Sequence, residues 1–175
     1  NALAAAAIAL AAGAAPHMIA HALRSFTGVE HRQEFVRAIG GIRIYNDSKA
    51  TNPSAAIMAI DAFDAPIVWI GGGLDRGMAY TELQPWLASK VKAAVLIGET
   101  RHKLQAVAIE AGLQSVYVVD NAEDAADALD QAVRLAYEAA EEGDIMLFSP
   151  ACASWDMFST YEQRGSMFKA SAHNL

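Results

Sequence analysis

The chain has 175 residues, 54% of them hydrophobic and 19% charged, which predicts a packed globular domain and excludes a disordered protein. The formal net charge is −7 and the 13 Lys and Arg residues are scattered, so no nucleic-acid-binding surface is expected. The single cysteine, Cys152, excludes an internal disulfide framework and a cysteine-rich zinc site. Such sparing use of cysteine is typical of a cytoplasmic protein.

The first 28 residues predict two helices. Residues 1–15 are rich in Ala and Leu, which favour helices, and this run lacks a preceding basic segment and is too short to cross a bilayer. Pro16 suits the first position of a second helix, along which Ile19 and Leu23 recur at helical spacing. We expect no insertion into a membrane. We also expect a fragment that begins inside a longer protein, with a domain junction near residue 28.

After this junction, short apolar runs alternate with helical segments. Residues 33–47 read as two extended runs that Gly40 and Gly41 join in a hairpin. The later runs, rich in β-branched residues, are APIVWIGG, AAVLIGE, SVYVVD and DIMLFS. This order predicts an α/β fold with a Rossmann-like, mostly parallel sheet flanked by helices and preceded by the two N-terminal helices.

Three positions carry signals for the start of a helix. Asn52 is a predicted N-cap because a proline follows it, and Thr81 with Gln84 resembles a capping box. Ser154 is a predicted cap of a helix over residues 155–164, which would end at the following glycine. These signals define where the polar loops should end.

Three polar stretches follow predicted strands. They are NDSKATN at 46–52, GGGLDRG at 71–77 and SPACASWDMF at 149–158. In open α/β sheets, ligands bind beyond the carboxyl ends of the strands, and the helix that follows the first stretch presents an amino end that favours anions. The sequence therefore predicts a ligand site built from these three stretches.

The glycine-rich stretch is similar to a dinucleotide-binding fingerprint. Gly71 and Gly73 begin a G-x-G-x-x-G pattern, but Arg76 occupies its last position and no acidic residue closes a strand about 20 residues later. A nicotinamide-dependent oxidoreductase is therefore disfavoured, and the glycines can be ordinary turn residues. Arg76 on such a loop is suited to hold a carboxylate or a phosphate through paired hydrogen bonds.

Asp47 and Lys49 are the charged residues of the first stretch. Lys49 alone would be an ordinary surface residue, but a carboxylate at a strand end can accept a hydrogen bond from a ribose hydroxyl or hold the lysine in place. The chain contains no G-x-x-x-x-G-K-[ST] sequence, so a phosphate cradle would have to come from another segment.

Neither a cysteine nucleophile nor a metal site is favoured by the spacing of residues. Cys152 would need a base, and no histidine lies at a spacing that indicates one, so a packed cysteine is the better interpretation. His17 and His21 lie four residues apart without an evident third ligand. We therefore predict no metal ligands in this chain.

Four stretches, in this order and spacing, resemble the C-terminal part of the bacterial Mur ligases: HRQEF, NDSKATNP, GGLDRG and SPACASWDMFSTYEQRGSMF. The resemblance covers nearly the whole chain, and it is strongest to the members that add D-glutamate to UDP-N-acetylmuramoyl-L-alanine in peptidoglycan precursor synthesis. It implies that residues 1–28 are the last helices of a truncated central ATPase domain. Residues 29–175 would then be the C-terminal domain.

The resemblance also implies a reaction. ATP phosphorylates the carboxylate of UDP-N-acetylmuramoyl-L-alanine, and the amine of D-glutamate attacks the acyl phosphate to form an amide bond. In the family, the P-loop, the Mg²⁺ ligands and a modified lysine lie in the central domain, upstream of Asn1. We therefore expect ATP and Mg²⁺ as cofactors, and we expect this fragment to be inactive alone.

Roles carry over from the resemblance position by position. Asn1 would contact the adenine, and Arg32 and Asp47 would contact ATP phosphate and ribose when the domains close. Lys49 would lie near the reaction centre as the catalytic residue. The residues that would hold D-glutamate are Thr51, Arg76, Ser154 and Tyr161.

The chain departs from the family pattern at three of its positions. Some relatives carry Lys at the position of Arg76 or Phe at that of Tyr161, and Glu30 stands where relatives often carry Pro.

A non-catalytic module that binds a nucleotide or an acidic metabolite is the alternative function, because a fold does not fix an activity. A P-loop encoded upstream of Asn1 would favour the ligase.

Overall fold

The computed structural model describes residues 2–175. In chain order, its elements are α1 (Ala2–Ala11), α2 (Pro16–Ser25), β1 (Glu34–Ile39), β2 (Ile42–Asn46), α3 (Pro53–Asp61), β3 (Ile67–Gly72), a 3₁₀ helix (Thr81–Leu83), α4 (Gln84–Lys90), β4 (Val91–Ile97), α5 (Arg101–Glu110), β5 (Ser115–Val118), α6 (Ala125–Ala139), β6 (Ile145–Phe148) and α7 (Tyr161–His173). The predicted α/β fold is confirmed, including the two N-terminal helices and every predicted strand.

The six strands form one sheet in the order β1-β2-β6-β3-β4-β5. Only β1 is antiparallel, pairing with β2, while the other neighbours are parallel. The last strand along the chain, β6, lies between β2 and β3, so the direction of winding reverses there. Such a reversal opens a crevice at the carboxyl ends of the strands, where α/β proteins bind ligands.

Helices cover both faces of the sheet. One apolar cluster packs α3, α4 and α5 against the sheet around Trp69, and the other packs α6 and α7 around Phe148. All six residues of β3 are buried, which explains its continuous apolar sequence. The Phe148 and Phe168 rings stack with centroids 4.5 Å apart, which ties β6 to α7.

The two N-terminal helices pack against each other, and neither contains a buried residue. An apolar groove of about 570 Å³ lies between them, with Met18, Ile19, Leu23 and Phe26 in its wall. Within residues 2–175, no helix combines the length and the apolarity that crossing a bilayer requires.

The predicted hairpin between β1 and β2 is confirmed. Ile39 pairs with Ile42, so the loop consists of Gly40 and Gly41 alone. Their φ angles are 57° and 78°, and a two-residue turn with positive φ at both positions matches the twist of the flanking strands. Glycine adopts this conformation without steric cost, which explains the pair of glycines in the sequence.

Of the predicted helix starts, Asn52 is confirmed and the capping box at Thr81 is wrong. The Asn52 side chain accepts a hydrogen bond from the Ala55 amide at 2.9 Å. Thr81 instead begins a 3₁₀ turn, and α4 starts at Gln84 without a side-chain cap. The proline that follows Gln84 fits only the first turn of a helix, so it sets the start of α4.

The helix predicted after Ser154 is also wrong. The helix begins at Tyr161, where the Thr160 hydroxyl accepts from the Gln163 amide at 3.1 Å and the Gln163 side chain accepts from the Ser159 amide at 2.8 Å. The glycine at 165 lies inside this helix and does not end it, and it leaves room for the ring of His31, which a Cβ at this position would meet.

We expect Asn52→Ala to lower the free energy of unfolding by about 1 kcal/mol, because the first turn of α3 would lose its only side-chain cap. Urea denaturation of the chain measures this loss. Ser54→Ala, an exposed position two residues later, is the control and should cost less. Equal losses in the two variants would contradict the capping role.

Candidate functional site

The three polar stretches meet at one edge of the sheet. They follow β2, β3 and β6, which are neighbours in the sheet, and backbone hydrogen bonds join them. The Asp47 amide donates to the Phe148 carbonyl at 2.7 Å, and the Gly72 amide donates to the Pro150 carbonyl at 2.8 Å. The three stretches therefore form one geometric unit at the reversal of winding, where the sequence predicts a ligand site.

Four of the predicted substrate residues line one cavity of about 300 Å³. The residues around it are Thr51, Arg76, Ala153, Ser154, Trp155, Thr160, Tyr161 and Glu162. Arg76 is the cation of this wall, and the amino end of α7 adds backbone N–H groups that favour an anion. Ser154 is buried, whereas Arg76 is exposed. The cavity thus offers a cation and backbone N–H groups to an anionic group of a small ligand, beside the Glu162 carboxylate.

The loop that carries Arg76 is fixed at its base. The Leu74 amide donates to the Ala153 carbonyl at 2.9 Å, which joins the glycine-rich stretch to the stretch after β6. Gly73 has a φ of 151°, and a Cβ there would approach the Ala153 carbonyl within 2.3 Å. Gly73 therefore allows a close approach of the Ala153 backbone, whereas a dinucleotide fingerprint uses its second glycine for the approach of a pyrophosphate.

Asp47 is buried, and each of its two carboxylate oxygens accepts a hydrogen bond. Its carboxylate accepts from the Gln33 amide at 3.1 Å and from the Ser149 hydroxyl at 2.8 Å. Burial raises the pKa of Asp47 to about 6, although these hydrogen bonds and the charge of Arg32 oppose the rise. The structure thus brings the predicted pair of Arg32 and Asp47 together at the edge of the site.

Lys49 connects this pair to the cavity. Its ammonium donates to the Tyr161 hydroxyl at 3.1 Å and lies 5.0 Å from the centre of the Tyr161 ring. The Lys49 amide donates to the carbonyl of His31, a residue with a φ of 62°. Lys49 is exposed, and the hydrogen bond that holds its side chain is made at its tip.

Arg164 is a site residue that sequence reasoning missed. Its side chain is almost fully buried and donates to the Ser48 hydroxyl at 3.0 Å, the Ser48 carbonyl at 2.8 Å and the Cys152 carbonyl at 3.1 Å. Burial lowers the pKa of Arg164 to about 10, so it stays charged at neutral pH. It holds the first and third polar stretches together. Its place four residues before Phe168, on the apolar face of a helix, was the available signal.

The packed interpretation of Cys152 is confirmed. The thiol is buried and contacts the Tyr80 hydroxyl at 3.2 Å and the Thr100 hydroxyl at 3.3 Å. Burial raises the pKa of Cys152, which disfavours the thiolate that a nucleophile requires. The cysteine therefore supports the base of the glycine-rich loop.

Three residues outside the cavity carry side chains that could together ligate a metal ion. Glu30, His31 and Glu34 have potential ligand atoms within 4.8 Å of one another. Lys169 forms ion pairs with both carboxylates, and Asn46 is hydrogen-bonded to the His31 ring at 2.9 Å. Their partners are thus protein groups, and we assign them no metal. Asn1, the predicted adenine contact, lies outside the described residues.

An α/β sheet with a cation-bearing cavity at the carboxyl ends of its strands has the architecture of α/β domains that bind ligands at this edge. Residues 31–152 match the family model described as "Mur ligase, glutamate ligase domain". The chain belongs to the Mur ligase family, as its motifs predicted.

Curated relatives agree with this family. Proteins named UDP-N-acetylmuramoylalanine--D-glutamate ligase from Caldanaerobacter subterraneus and Bacillus subtilis are each 46% identical to the chain over its whole length. The protein of that name from Latilactobacillus sakei is 48% identical over 96% of the chain. The chain spans only 36–38% of the length of these relatives.

Proposed function

We propose that this chain is the C-terminal, amino-acid-binding part of a ligase that joins D-glutamate to UDP-N-acetylmuramoyl-L-alanine with the consumption of ATP. The observation that carries the proposal is the one cavity lined by Thr51, Arg76, Ser154 and Tyr161, which come from three separate parts of the sequence. Proteins that are 46% identical to this chain over its whole length are named for this reaction.

The chemistry of the cavity supports an acidic amino acid as its ligand. A dicarboxylate needs at least one firm cation together with hydroxyl and backbone donors. Arg76 supplies the cation, Thr51 and Ser154 supply hydroxyls, and the amino end of α7 supplies backbone N–H groups. The apolar part of the wall, Ala153 and Trp155, suits the methylene groups of the side chain.

The nucleotide side of the proposal rests on Arg32, Asp47 and Lys49. Arg32 and Lys49 are exposed cations beside the buried Asp47 carboxylate, and cations at this place would balance the charge of ATP phosphates and of an acyl phosphate. Lys49 is the proposed catalytic residue, because its ammonium lies between the nucleotide side and the amino-acid cavity. Mg²⁺ bound elsewhere in the enzyme would polarise the phosphates.

The domain assignment is part of the same proposal. Residues 1–28 would complete a central ATPase domain, which is compatible with the lack of buried residues in α1 and α2 and with the apolar groove between them. UDP-N-acetylmuramoyl-L-alanine and Mg²⁺ would bind to parts of the enzyme outside this chain. We expect the isolated chain to be inactive and the ligase to work in the cytoplasm, where a free cysteine is stable.

The test is phosphate release by the full-length enzyme with ATP, Mg²⁺ and UDP-N-acetylmuramoyl-L-alanine. D-glutamate, L-glutamate, diaminopimelate and L-lysine are offered in turn, and we expect turnover with D-glutamate alone. The 175-residue chain under the same conditions is the inactive control. Mass spectrometry of the product identifies the new amide bond.

Other outcomes separate the competing functions. Turnover with a different amino acid would keep the ligase and overturn its specificity. No turnover with any amino acid, together with binding of a nucleotide or an acidic metabolite, would favour the non-catalytic binding module.

A further inference from the structure

Arg76 is flanked by a carboxylate that could compete for it. Asp75 directly precedes Arg76 on the same exposed loop. The Glu99 carboxylate accepts a hydrogen bond from the Asp75 amide at 2.9 Å. The Gly77 amide and Lys103 hold the pKa of Asp75 below its usual range, so the carboxylate is charged at neutral pH. A guanidinium beside a free carboxylate pairs with it readily, and the pair would no longer bind a substrate carboxylate.

Asp75 is engaged elsewhere in the structure. Its carboxylate accepts from the Gly77 amide at 2.8 Å, and both of its oxygens lie 3.3 Å from the Lys103 ammonium. Within residues 2–175, ion pairs of the loop involve Asp75 and Lys103, and none involves Arg76. The guanidinium is therefore left facing the cavity.

Lys103 is held in this position from a second side. Its ammonium lies 5.4 Å from the centre of the Tyr80 ring, a contact that favours a cation. The Tyr80 ring is buried, and its hydroxyl accepts from the Cys152 thiol. The ammonium thus lies between a carboxylate and an anchored aromatic face, which fixes it more firmly than an isolated surface pair would.

We propose that Lys103 is a positioning residue for amino-acid binding, a built-in counterion that occupies Asp75 and so leaves Arg76 available to the substrate carboxylate. This inference rests on the proposed function of the cavity and adds a determinant of its affinity. The inference also explains why an acidic residue stands beside a site for an anion. Asp75 closes the turn by accepting from the Gly77 amide, and Lys103 neutralises its charge.

The proposal makes a distinctive prediction for a double variant of the full-length enzyme. Lys103→Met alone should raise the KM for D-glutamate about three- to tenfold with kcat little changed, because unpaired Asp75 would engage Arg76 and repel the substrate. Adding Asp75→Asn should restore most of the affinity, since asparagine still accepts from the Gly77 amide but carries no charge. Lys103→Arg should behave like the wild type.

Initial rates at varied D-glutamate, with ATP and the nucleotide-linked substrate saturating, give these constants. Lys92→Met is the matched control, because Lys92 forms ion pairs with Glu141 and Asp144 away from the cavity. An unchanged KM in Lys103→Met, or a double variant no better than Lys103→Met, would overturn the counterion role while the wild type remains active. An inactive wild type would instead overturn the proposed function, and this inference with it.

Discussion

Turnover by the full-length ligase is expected to fall about 100-fold in an Asp47→Asn variant, whereas the folded domain becomes more stable at neutral pH. The loss follows from removing the charge that faces Arg32 at the nucleotide side of the site. The gain follows from burial: the amide oxygen can still accept from the Gln33 amide, the NH2 group can donate to the Ser149 hydroxyl oxygen, and no buried charge remains. Phosphate release measures the first effect and urea denaturation the second.

The pH dependence of the stability difference has a definite sign. Burial raises the pKa of Asp47 from 3.8 to about 6, so the folded state holds the proton more tightly than the unfolded state. The stability that the folded state gains from binding this proton is complete below about pH 3.8 and is lost as the pH rises through 6. The advantage of Asp47→Asn should therefore grow between pH 4 and pH 7, towards a limit of about 3 kcal/mol.

Lys49→Ala is the matched control for this pair of effects. Lys49 is exposed, so its removal should lower turnover strongly and leave stability nearly unchanged at every pH. Wild-type turnover in Asp47→Asn would contradict the proposed role of the carboxylate. A stability difference that does not change with pH would show that Asp47 is not the group that titrates.

Arg164→Met should lower the free energy of unfolding by about 3–5 kcal/mol, because the Ser48 and Cys152 carbonyls would lose a charged donor and stay buried. Met is close in length and apolar, so the loss reports the hydrogen bonds more than a cavity. Urea denaturation of the chain measures it. The variant should also weaken D-glutamate binding in the full-length enzyme, since two walls of the cavity would separate.

Arg134→Met is the control for this variant. Arg134 is exposed on α6 and bonds only to a carbonyl of its own helix, so its loss should cost less than about 0.5 kcal/mol. Similar losses in the two variants would mean that the buried guanidinium network does not stabilise the domain.

Local signals sufficed for much of this fold. The runs that became β3 and β4 are apolar because helices cover both faces of the sheet, and the hairpin followed from two glycines that tolerate positive φ. The strand order had no local signal, because the insertion of β6 between β2 and β3 depends on contacts distant in sequence. The start of α7 was misplaced because Ser154 and Thr160 are both good caps, and only tertiary packing selects between them.

The site was predicted in the same uneven way. Thr51, Arg76 and Tyr161 were identified by resemblance and line one cavity, but their roles stay predictions. Arg164 lies in one of the stretches that carry the resemblance, but a charged residue in a helix usually faces solvent, and its burial depends on Ser48, more than a hundred residues away. The counterion relation between Asp75 and Lys103 was equally invisible, because these residues are 28 positions apart.

The central place of β6 also governs how the chain is made. Ser149, which directly follows β6, bonds to Asp47 across 102 positions of sequence, so the middle of the sheet closes only after most of the chain has left the ribosome. Until then, β2 and β3 present unpaired edges that can pair with other chains. Completion of this one four-residue strand therefore removes two exposed strand edges at once.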